Sequence, residues 1–80
     1  MNVRILVKLT RPTGDHAAIA AEASRQAGVA AKYAASVSAA WHALVLHCSD
    51  AAECDLAITR LQQASGSYEA VERDGRKQRL

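Results

Sequence analysis

Between positions 2 and 9 the side chains alternate, with Val3, Ile5, Val7 and Leu9 on one side and Asn2, Arg4, Leu6 and Lys8 on the other. A period of two places each set on one face of a pleated ribbon, so the segment reads as a strand with one buried face. Thr10, Arg11, Pro12, Thr13 and Gly14 then break it, because proline lacks a ladder donor and glycine tolerates turn geometry. Asp15 stands where a helix N-cap is needed, and the spacing of Ile19, Ala20, Ala23 and Ala27 predicts a helix over 16–27. Gly28 supplies its left-handed stop.

Residues 29–38 are rich in alanine, which favours helix by propensity, yet their period is two. Val29, Ala31, Tyr33, Ala35 and Val37 form one face, and Ala30, Lys32, Ala34, Ser36 and Ser38 the other, which predicts a second strand. Ser38, Ala39 and Ala40 make a turn into 41–48, a nearly continuous apolar run of the kind found in central strands. Asp50 followed by Glu53 resembles a capping box opening a second helix, whose buried stripe is Cys54, Ala57, Ile58, Leu61 and Ala64 or Ser65. Gly66 is expected to close it, and 68–73 form the last strand.

The order strand, helix, strand, strand, helix, strand predicts an α+β fold: a ferredoxin-like βαββαβ sandwich, with a four-stranded antiparallel sheet and both helices on one face. One domain is expected over 1–74, followed by a flexible basic tail over 75–80. The first and third strands, the most apolar, would be central. Leu6 and alternate residues of the third strand would then lie on the helix-free face, either Trp41, Ala43 and Val45 or His42, Leu44 and Leu46. Leu6, Trp41, Ala43 and Val45 are the set taken as an interface, since a monomer seldom leaves such a patch wet.

Composition sharpens the case for association. Of the 80 residues 18 are alanine, 16 are Val, Ile or Leu, and none is Phe, so the core is thin and a second copy is expected to add to it. The net charge of +2 does not call for nucleic acid. The third strand lacks the spaced aromatics with which sheets of this type stack bases, which sets RNA binding aside. No span-length apolar run or secretory leader is visible, so a cytoplasmic location is expected, with Cys48 and Cys54 as free thiols.

Little in the chain suggests catalysis. His47, Cys48, Asp50, Glu53 and Cys54 are the densest set of potential ligands, but strand neighbours His47 and Cys48 point to opposite faces, and Asp50 and Glu53 serve as caps. No metal or cofactor is expected. His16, in the first helical turn, reads as a surface or boundary side chain. The loop 10–15 is the most suggestive piece: amides at the helix start could hold a carboxylate or phosphate, with Arg11 beside them.

The stretch Val3 to Gly14, then Ala17, Ala18, Ile19, Ala20 and the exit Gln26, Ala27, Gly28, Val29, resembles the opening of ACT domains and the related NIL domains. Ala43 to Asp50 and Ala57 to Leu61 are similar to their third strand and second helix. The resemblance implies a small non-enzymatic regulatory module, dimeric, that senses a metabolite such as an amino acid. It also implies that Arg11, Pro12, Gly14, Asp15 and His16 border the ligand. A pure interaction domain docking a partner protein through its open sheet is the alternative reading, with a small enzyme using His16 or His47 less favoured.

Overall fold

A computed structural model describes residues 1–74, and the basic segment expected to form a flexible tail, 75–80, lies outside the described residues. Strand β1 (Asn2–Leu9) leads through the proline-containing loop into α1 (His16–Ala27), and β2 (Ala30–Ser36) turns directly into β3 (Trp41–His47). Helix α2 (Ala51–Gln63) and strand β4 (Tyr68–Arg73) complete the chain. All the strand pairings are antiparallel, in the order β2-β3-β1-β4, with both of the most apolar strands at the centre. This is the ferredoxin-like arrangement that the alternation predicts.

The two helices close over one face of the sheet. Ile19, Ala23 and Ala27 of α1 and Cys54, Ala57, Ile58 and Leu61 of α2 join Ile5, Val7, Leu9, Leu44 and Leu46 in a single core. Small residues on α1 let it sit close to the sheet, where Ser24 stitches it to β2: its Oγ accepts from the Ala31 amide at 2.9 Å. Asp15 caps α1 by accepting from the Ala18 amide, and Gly28 ends it with φ of 79°, its amide donating to the Ser24 carbonyl.

The start of α2 has the capping box with one shift. Asp50 accepts from the Glu53 amide at 2.8 Å, while the Glu53 carboxylate accepts from Ser49 rather than from the cap residue itself. Gly66 does not close this helix. The helix ends at Ala64 through an Ala64 amide to Leu61 carbonyl bond, and Gly66 lies in the turn beyond.

Two other expectations are corrected. Val37 does not join the core face of β2 but is 51% exposed. The reason is an irregularity between Tyr33, opposite Leu44, and Ala35, opposite Ala43, which leaves Ala34 as an extra residue. One inserted residue reverses every later side chain, so Ser36 comes to stand opposite His42. Cys48 and Cys54 are not free thiols but a disulfide, with Cα atoms 5.5 Å apart. The turn at Ser49 and Asp50 folds the first turn of α2 back over the end of β3, and both sulfur-bearing residues face the core.

Candidate functional site

The loop between β1 and α1 crosses one end of the sheet, where β1 ends and β3 and β4 begin. Two backbone bonds hold that end together: Leu9 to the Ala40 carbonyl and Thr10 to the Ser67 carbonyl. The loop divides the surface there into two hollows. Its neighbouring residues consequently serve different places.

On the β2–β3 side a hollow of about 360 Å³ is lined by Pro12, Thr13 and Gly14 from the loop and by Ser36, Ser38, Ala39 and His42 from the hairpin. His42 lies on the core face of β3 with Leu44 and Leu46, and only 2% of it is exposed. Its Nδ1 is 2.8 Å from the Tyr33 hydroxyl, and the Tyr33 ring stacks on His16 with centroids 4.0 Å apart. His42 Nε2 is buried and has no hydrogen-bond partner among the described residues. A buried polar atom left so is destabilising by about 1–3 kcal/mol, and such atoms are uncommon in folded proteins.

The hydroxyls of this hollow have capacity to spare. Thr13 Oγ1 accepts from the Asp15 amide and Ser38 Oγ from the Trp41 amide, which leaves each O–H free to donate. The start of α1 adds the positive end of a twelve-residue helix. Together these groups offer hydrogen-bond donors around a small space, the arrangement that receives an acceptor-rich, anionic group.

On the β4 side a larger hollow, about 440 Å³, is lined by Arg11 and Thr13, by Ala18, Ile19 and Glu22 of α1, and by Leu9, Gly66, Ser67 and Tyr68. Tyr68 is 4% exposed and its hydroxyl has no partner among the described residues. Burial pushes its pKa up from the ordinary phenol value, and the nearby Arg25 guanidinium works against that rise.

The five residues expected to border one ligand are thus parted. Pro12 and Gly14 line the hairpin hollow, with His16 stacked beside it, while Arg11 lines the other. The Asp15 carboxylate is occupied by the Ala18 amide. Sequence reasoning missed Tyr33, Ser36, Ser38 and Tyr68. The visible signal for His42 was a polar residue in step with Leu44 and Leu46, at positions where an unpaired polar group is rare.

On the helix-free face, of the two alternate sets of β3 it is Trp41, Ala43 and Val45 that accompany Leu6. Ala43 is fully covered by its neighbours, so Leu6, Trp41 and Val45, each half-buried, form the apolar surface. Arg4, which pairs with Asp74 at 2.8 Å, and Lys8, which pairs with Glu69 at 3.3 Å, flank it. His47 and Cys48 do point to opposite sides, and among the described residues no group of three His, Cys, Asp or Glu could hold a metal ion. Nor is any described helix long and apolar enough to cross a membrane. No family model, curated protein or solved structure matches the chain.

Proposed function

We propose that this protein is a small ligand-binding module of the ACT-like kind, which receives the anionic end of a metabolite such as an amino acid in the hollow between the β1–α1 loop and the β2–β3 hairpin. The observation that carries this reading is the unpartnered Nε2 of His42, a residue that is 2% exposed, lines this hollow and has its ring 6.4 Å from that of His16 in the first turn of α1. The Tyr33 hydroxyl engages the other ring nitrogen. Where that hydroxyl donates, Nε2 carries the hydrogen and must find an acceptor. A carboxylate oxygen meets this need, and the Thr13 and Ser38 hydroxyls and the helix dipole favour the same charge. The exposed His16 ring lies flat against Tyr33, whose hydroxyl engages His42. The regulatory role is the part of this proposal that rests on the ACT resemblance alone, whereas pairing of two copies is also supported by the thin core and the apolar surface of Leu6, Trp41 and Val45.

The test is a melting-temperature screen of the whole chain against amino acids, other small carboxylates and nucleotides, since a ligand that binds only the folded state raises the transition by mass action. A carboxylate-bearing ligand should raise it, and His42→Leu, which fills the space but removes both nitrogens, should abolish the rise. A flat response across the panel would overturn the reading and favour the interaction domain that docks through Leu6, Trp41 and Val45.

A further inference from the structure

We propose that the second hollow, on the β4 side of the loop, is a separate site for a small amphipathic carboxylate: one carboxylate group on a compact apolar body. At about 440 Å³ it falls within the usual range for small-molecule pockets, roughly 300–1,000 Å³. Leu9, Ala18 and Ile19 supply its apolar walls. Tyr68 also lines it, nine-tenths buried or more, with a hydroxyl that has no partner among the described residues. Arg11 stands exposed at the rim, with no ion pair among the described residues, and a guanidinium suits the planar fork of a carboxylate.

Charge selects the class of ligand. Glu22 also lines the hollow, but its carboxylate already takes Arg25, the Gln26 amide at 2.8 Å and the Ser67 hydroxyl at 3.4 Å. An incoming ammonium would therefore meet the Arg11 guanidinium and a Glu22 carboxylate whose charge is already offset by Arg25. A carboxylate meets Arg11 directly and can accept from the Tyr68 hydroxyl. A small, wholly polar oxyanion such as phosphate would leave the apolar walls without a partner, so an organic acid with a hydrocarbon or aromatic body fits better. Apart from Thr13, which lines both hollows, this site shares no lining residue with the one around His42.

Benzoate and phenylacetate are suitable probes, with benzamide and inorganic phosphate as controls, titrated into the whole chain while amide resonances are followed by NMR. Saturable shifts centred on Ala18, Ile19 and Ser67, which line this hollow and not the other, are expected with the two acids and not with the controls. Arg11→Ala, a change at an exposed residue that leaves the core alone, should weaken benzoate about tenfold. Tyr68→Phe, which keeps the ring and removes only the hydroxyl, should weaken it several-fold, while His42→Leu should leave it unchanged. Equal binding of benzamide, an unaltered affinity in Arg11→Ala, shifts centred instead on Ser36 and Ser38, or no saturable shift at all would each overturn the proposal.

Discussion

The Tyr33 hydroxyl lies 2.8 Å from His42 Nδ1, joining an interior ring on β3 to a half-exposed one on β2. The bond supplies the only partner that this imidazole has among the described residues, its other nitrogen being unpaired. Tyr33→Phe should therefore be destabilising by about 1–2 kcal/mol in urea unfolding, because it strands both nitrogens. In the His42→Leu background the same change should do much less, giving a coupling of about 1 kcal/mol in a double-mutant cycle. Additive single effects would show that the two side chains act independently.

The Cys48–Cys54 disulfide closes a short loop, with a sequence separation of 6. Chain entropy assigns a loop of that size about 2 kcal/mol, small because a short loop restricts the unfolded chain little. For a domain of this length that corresponds to a fall of about 10 °C in melting temperature on reduction. The double variant Cys48→Ala, Cys54→Ala should melt near the reduced protein and ignore added dithiothreitol. Identical transitions with and without reductant would contradict this account.

The elements of this fold are legible in the chain because each has its own local cause. Alternation at 2–9, the apolar run at 41–47, Asp15 and Asp50 as caps and Gly28 as a stop act within a few residues, so they can be read in order. What escapes is what depends on register. Ala34 and Ala35 are chemically identical, so nothing marks Ala34 as the extra residue, yet it decides that Ser36 rather than Val37 comes opposite the His42 side of the sheet. The bonded cysteines escape for a related reason: their contact depends on how the turn at Ser49 and Asp50 folds back, not on a spacing motif. The loop 10–15 is recognisable as a place where ligands could sit. That Arg11 and Gly14, three positions apart, face different hollows follows only from the three-dimensional course of the loop.

Gly28 has φ of 79°, and a Cβ built there would stand 2.5 Å from Arg60 Nη1, the flexible tip of a side chain that reaches over to the Ala27 carbonyl. Arg60 can swing away, so the left-handed backbone decides the outcome. Gly28→Ala should be destabilising by about 1–2 kcal/mol, and Gly28→Asn by less, since asparagine tolerates this region better. Chemical denaturation of both variants checks the order, and an alanine variant as stable as the parent would contradict it.

Tyr68 sets how the fold responds to alkali. Its pKa lies above the ordinary 10.0, chiefly because burial disfavours the phenolate, with Arg25 opposing in part. As pH rises past that ordinary value, the unfolded chain loses the Tyr68 proton while the folded one keeps it. The folded state then binds more protons, so stability must fall with pH. The contribution is fully present below the unfolded value and is lost as pH rises through the folded one. Urea midpoints between about pH 8 and 11 should therefore decline more steeply for the parent than for Tyr68→Phe, which has no proton to lose there. A carboxylate seated against the Tyr68 hydroxyl should deepen the difference, because ionising that hydroxyl would set two negative charges side by side. Parallel curves for parent and variant would mean that the phenol is solvated in the folded protein, and the β4-side hollow would lose its donor.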